Sequence, residues 1–102
     1  MTTDPDIRDD RAAHRYRLDI EGQTAVVIYN EVAGGLLITE TLVPQNLEGQ
    51  GIASRMARHV LTEARERGLH ILPTCPFFAG FVQKHREYAD VVDPSYRSIL
   101  GV

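Results

Sequence analysis

Between residues 36 and 67 the apolar pattern changes period once, and Pro44, Gly49 and Gly51 stand at the change. Before it, Leu36, Ile38 and Leu42 fall on one side of a period of two, with Glu40 among them, and Leu37, Thr39, Thr41 and Val43 fall on the other. After it, Ile52, Met56, Val60 and Ala64 recur at helical spacing beside Ala53, Ala57 and Leu61, with Arg55, Arg58, Arg65 and Glu66 outside. A strand must therefore turn into a helix through a proline and two glycines. Gly68 stands ready to cap the helix, and Arg65 and Arg67 suit the negative end of its dipole.

The flanking segments complete an α/β order. Tyr16, Leu18 and Ile20 alternate with Arg15, Arg17 and Asp19, as in a strand with one wet face. Residues 25–29, Ala-Val-Val-Ile-Tyr, read as a strand buried on both faces, and it pairs with the first as a hairpin. Downstream, Leu69-His70-Ile71-Leu72 is a short fourth strand ended by Pro73. Cys75-Pro76 then opens a second helix whose apolar face is Phe77, Phe78, Phe81 and Val82, fraying near residues 85–88. The expected fold is an antiparallel meander of three strands, a helical crossover to a parallel fourth strand, and a second helix. Residues 1–13, with Asp4, Asp6, Asp9 and Asp10 and only Ile7 as a bulky apolar residue, read as a disordered acidic tail. Residues 14–92 form the domain, and residues 93–102 read as a C-terminal tail that covers an edge of the core.

Composition narrows the function classes. A length of 102 residues leaves room for one core. The net charge of −3 is opposite in sign to that of a nucleic-acid scaffold binder. One cysteine excludes an intrachain disulfide and a multi-thiolate zinc site, and the four histidines lack metal-ligand spacing, so no metal is expected. No apolar run reaches the ~18 residues of a membrane span and no signal-peptide pattern opens the chain, which points to the cytoplasm. A monomer or weak dimer is expected.

Gly49-Gln50-Gly51 precedes the first turn of a helix, where unpaired N–H groups and the dipole favour an anion. A phosphate loop of the G-x4-G-K type fails because Lys84 is the first lysine in the chain, and the dinucleotide fingerprint fails because position 54 is Ser54. A tight strand-to-helix connection that binds nothing has the same composition.

Leu42-Val43-Pro44 followed by Glu48-Gly49-Gln50-Gly51-Ile52-Ala53 resembles the acetyl-CoA motif of the GCN5-related N-acetyltransferases, Q/R-x-x-G-x-G/A. Thr74-Cys75-Pro76-Phe77 and His85-Arg86-Glu87-Tyr88 resemble the second half of the short, single-domain acetyltransferase-like group of that superfamily. The resemblance runs from about Arg15 to Val92. It implies a minimal fold of that superfamily in which neighbouring strands splay, with the pantetheine arm of acetyl-CoA along the strand of Leu42 and Val43. The pyrophosphate would be held by N–H groups from Gly49 through Ser54, including those of Gln50, Ile52 and Ala53. Glu48 stands where the motif has Arg or Gln, Glu40-Thr41-Leu42 where the short group has His-Thr-Glu, and Arg86 where it has Pro. The acceptor elements of full-length members are expected to be missing, leaving an open acceptor site.

For acetyl transfer to a primary amine of a small molecule or peptide, three side chains are candidates. Glu40, expected on the face of Ile38 and Leu42, is a candidate general base or else a solvent-facing carboxylate. Cys75, before a helix, is a candidate thiolate nucleophile, a proton donor or a small packing residue. Tyr88 is a candidate proton donor to the departing thiolate or an amphipathic core residue, and the N–H of Val43 is a candidate oxyanion donor. Direct attack of the amine on the thioester is favoured. A non-catalytic CoA-binding module, an interaction domain that keeps only the fold and a Cys75 acyl-enzyme are the alternatives.

Overall fold

The computed structural model describes residues 3–102. Its strands are β1 (Ile7–Asp10), β2 (Arg15–Ile20), β3 (Gln23–Val32), β4 (Gly35–Leu42) and β5 (His70–Pro73), and its helices are α1 (Ile52–Arg67), α2 (Pro76–Lys84) and α3 (Pro94–Leu100). The strands form one sheet in the order β1-β2-β3-β4-β5, antiparallel up to β4 and parallel between β4 and β5. The expected α/β arrangement is present, with one more strand than expected and with a third helix, α3, where residues 93–102 read as a tail. No helix among the described residues is long and apolar enough to cross a membrane.

One face of the sheet carries the core. Tyr16, Val27, Tyr29, Leu36 and Ile38 are buried there against Met56, Val60, Leu61 and Ala64 of α1 and Phe78 and Val82 of α2. Helix α1 ends as its sequence predicts. Gly68 takes a left-handed φ of 69°, and the N–H groups of Gly68 and Leu69 satisfy the carbonyls of Arg65 and Ala64. Gly35 starts β4 so close to β5 that a Cβ there would lie 2.4 Å from the His70 carbonyl oxygen. The parallel pair thus begins in tight contact at Gly35↔His70 and runs only to Ile38↔Pro73.

The N-terminal stretch read as a solvated tail is instead the edge of the sheet. Ile7, buried opposite Leu18, supplies the single apolar anchor that a four-residue edge strand needs. Asp4 and Asp9 are matched by partners distant in sequence, which is why composition alone suggested disorder. Asp4 donates its backbone N–H to Nδ1 of the buried His59 (2.9 Å), and its carboxylate accepts from Nε of Arg55 (2.7 Å). Asp9 accepts from the Tyr29 hydroxyl, and Asp10 caps the short turn of residues 11–13. Met1 and Thr2 of the expected tail lie outside the described residues. At the other end α3 packs Tyr96 and Leu100 on the core, after Val92 bridges to Ile71 beside β5.

The hydrogen bond from the Arg55 guanidinium holds the Asp4 carboxyl below its ordinary value. A lowered folded-state value stabilises the native state above the unfolded value, near ~3.9, and this stabilisation is lost as pH falls through the lowered one. Asp4→Asn should therefore lower the melting temperature at neutral pH, and the gap from wild type should close as the pH drops below about 4. Thermal melts at several pH values check this, and a gap that stays constant with pH would contradict it.

Candidate active site

Strand β4 changes neighbours halfway along. The Ile38 carbonyl accepts from the Cys75 N–H (3.0 Å) and from the Thr74 hydroxyl (2.7 Å), and there the pairing with β5 stops. Beyond Ile38 the chain after β5 turns into α2, so among the described residues β4 continues with β3 as its only strand neighbour. The sheet is parted at this point.

A β-bulge sits at the same place. Tyr29 pairs with Ile38 but Ile28 pairs with Glu40, so Thr39 is an extra residue, and its hydroxyl donates to the Ile28 carbonyl (3.2 Å). One extra residue inverts the alternation that follows it. Thr41, paired with Val27, and Val43 now face the helices; Glu40 and Leu42 face away. The expectation that Glu40 and Leu42 share the face of Ile38 is thus corrected. Both are exposed, Leu42 to 51%.

A cleft of about 340 Å³ opens where the sheet parts. It is lined by Thr41 and Val43 of the β4 end, Leu47, Glu48, Gly49 and Gly51 of the connecting loop, the first turn of α1 (Ile52, Ala53, Ser54), and Phe77 of α2. Gly49 and Gly51 adopt φ values of 85° and 76°, in the left-handed region that glycine adopts without strain. A Cβ at either would meet no atom within 4 Å, so the space beside both is open. Gly51 is the N-cap of α1 and supplies no side-chain cap, and the first turn carries no acid. The leading N–H groups of a long helix therefore face the cleft without a side-chain acceptor of their own.

The residues singled out in the sequence separate accordingly. Val43, Glu48, Gly49, Gly51, Ile52, Ala53 and Ser54 are brought together on the cleft wall. Gln50 is exposed within the loop but does not line the cleft. Cys75 is 3% exposed, and its sulfur lies 3.4 Å from the hydroxyl of Thr41. Tyr88 is buried away from the cleft, its ring under the Arg65 guanidinium at 5.4 Å and beside Phe81 at 6.0 Å. Sequence reasoning did not assign Thr41, Leu47 or Phe77 to the site. Thr41 is hidden by the bulge, and Phe77, counted on the apolar face of α2, is 37% exposed at the cleft lip. Leu47, a buried apolar residue in an otherwise polar loop, was the one available signal.

A second cavity of about 360 Å³ shares Ser54 and Phe77 with the first and continues along α2, past Gly80 and Phe81 to Lys84 and His85. Arg58 of α1 stacks over Phe81 at 5.4 Å. The two cavities make one path from a parted sheet, over a helix start, to an aromatic surface edged with cations. Fold and site together define a small α/β domain with an elongated cleft that begins where the sheet parts and crosses the start of α1. The model of the GCN5-related N-acetyltransferase family matches residues 15–91, and the chain belongs to that family. No curated protein matches the sequence. Family membership makes acyl transfer the class of chemistry.

The burial of Cys75 and its contact with Thr41 predict slow chemistry at its sulfur. Alkylation by iodoacetamide in the native protein should be at least roughly a hundredfold slower than in urea, because access requires an opening worth several kcal/mol. Equal rates, followed by intact mass, would place the thiol in solvent.

Proposed function

We propose that the protein is an acetyl-CoA-dependent N-acetyltransferase that passes the acetyl group directly to a primary amine. The observation that carries this is the continuity of the parted sheet with the glycine-lined start of α1. The cleft fits CoA on three counts. The N–H groups from Gly49 to Ser54 suit the pyrophosphate. The backbone of residues 39–43, left without a strand on one side, suits the amides of the pantetheine arm. Phe77 and Phe81 with Lys84 suit a base and its phosphate. Glu48, exposed at the cleft wall, is the one unfavourable charge, and it is free to turn toward water.

When bound, the cosubstrate supplies a thioester activated toward an amine. The chain's own groups divide the remaining work between the two faces of β4. On the cleft side the Val43 N–H serves as oxyanion donor, and the Thr41–Cys75 pair is the proton source nearest the departing sulfur. On the open side Glu40 receives the proton of the incoming ammonium, which at neutral pH is almost fully charged because alkyl amines titrate near ~10.4. The bulge is what lets consecutive residues of one strand serve both sides. Tyr88, buried under Arg65, belongs to the packing of α1 against the segment after α2.

Calorimetric titration should show CoA binding one to one, with stabilisation of ~2.7 kcal/mol at about a hundred times the dissociation constant. Gly51→Val, which places a Cβ into the cleft and strains a positive φ, should abolish binding in a chain still folded by circular dichroism. Glu48→Arg should tighten it, most at low salt. A flat titration with no thermal shift at millimolar CoA removes the proposal.

Transfer itself is tested with acetyl-CoA and a set of amines. Glu40→Gln should lower kcat/KM by on the order of a hundredfold and weaken the acidic limb of the pH profile. Intact mass without acceptor should show no stoichiometric acetyl adduct, and Cys75→Ala should keep measurable turnover. A rapid adduct on Cys75 that added amine removes would replace direct attack by an acyl-enzyme.

A further inference from the structure

The face of the sheet opposite the helices carries a charge pattern that the proposed chemistry does not use. Register places Glu40, Ile28 and Arg15 in one row across β4, β3 and β2, and Leu42, Val26, Arg17 and Arg8 in the next, extending to β1. Acid and exposed leucine lie at the parted edge, aliphatic side chains lie in the middle, and arginines lie beyond. Arg8 and Arg17 are direct cross-strand partners, an arrangement of like charges that is unfavourable on its own. Asp19 pairs with Arg17 at 3.0 Å, and Asp10 approaches Arg15 only to 3.7 Å, outside hydrogen-bond range. The Nε atoms of Arg15 and Arg17 are buried and have no hydrogen-bond partner among the described residues. Three arginines thus face two acids, with donors left over.

We infer that this face holds the acceptor, and that the acceptor is an aliphatic amino-carboxylate: its amine at Glu40, its chain over Ile28, and its carboxylate on Arg15 and Arg17. The inference rests on the acetyltransferase reading and names the substrate class for that site. Thr41 and Val43 line the cleft on one side of β4, so an amine reaches the same gap from the side of Glu40 and Leu42. From β4 to β2 is two strand spacings, ~10 Å, which a flexible ω-amino acid spans once the side chains at both ends reach inward. A carboxylate accepts from guanidinium donors in a forked geometry, and it relieves the repulsion between Arg8 and Arg17. A plain alkylamine fills only the first half of this surface. An acceptor anion also adds no charge near Glu40, where only the ammonium is held.

The test compares initial rates with acetyl-CoA for ω-amino carboxylates from β-alanine through 6-aminohexanoate to 8-aminooctanoate, each against the alkylamine of matching length. At an intermediate length the carboxylate should be favoured in kcat/KM by about tenfold or more, the effect of one or two charge-assisted hydrogen bonds. Arg15→Gln and Arg17→Gln should each cut that ratio by about the same factor, through KM rather than kcat. Carboxylates no better than plain amines at any length, or a preference that survives in both variants, would overturn the assignment while leaving the acetyltransferase intact. A concentration-dependent dimer in sedimentation that Arg17→Glu dissociates, with no carboxylate preference, would give the face to a second copy of the chain and overturn it too. Absence of turnover with every amine, together with a flat CoA titration, would overturn both readings.

Discussion

The carbonyl of Ile38 is where β4 loses one neighbour and keeps the other, and the site follows from that loss. Its two acceptor positions are filled by Thr74 and Cys75, so the parallel ladder has no further bond to make, and Pro73 supplies no N–H with which to extend it. One residue later the bulge at Thr39 re-aims the strand. Without the parting there would be no gap beside β4. Without the bulge Glu40 and Leu42 would fill the cleft, and Thr41 and Val43 would face away.

A polar cluster ties β2, β3 and α1 together at the other end of the helix interface, beside the apolar core they share. Glu63 accepts from the Tyr16 hydroxyl (3.0 Å) and from Arg67 (3.2 Å), and lies 3.1 Å from Nε2 of His59. Because Nδ1 of His59 accepts the Asp4 N–H, the remaining ring nitrogen carries the proton toward Glu63. The tyrosine rings are themselves in contact, 5.4 Å between centroids. Burial beside these carboxylates pushes both tyrosine hydroxyls well above their ordinary value, so they remain donors throughout the physiological range. The N-terminal strand is bound into the same cluster through Asp4 and Asp9.

Helices α1 and α2 both lie over one side of the sheet, and this asymmetry gives the two faces different chemistry. The covered side presents glycine backbone, the start of a long helix and an aromatic shelf. The other side carries a row of charged groups, with Glu40 exposed at the parted edge and the Nε atoms of Arg15 and Arg17 buried further in.

Much of this was legible in the chain itself. The switch of period across Pro44 and Gly51 determined a strand, a loop and a helix, because backbone geometry allows only periods near two and 3.6 to bury one face. Gly49 and Gly51 before the helix marked the helix start as a candidate anion site, and most of the residues from Val43 to Ser54 do share one cleft wall because they are close in sequence. Position across strands was decided elsewhere. The bulge at Thr39 leaves no mark in a single sequence, since Leu36 to Val43 alternates equally well with or without it. The edge strand at Ile7 depends on Leu18, His59 and Arg55, all distant in the chain. Propensity and periodicity report only on a residue's near neighbours, whereas register and the face of Glu40 are set by hydrogen bonds between segments that meet only when the sheet is assembled.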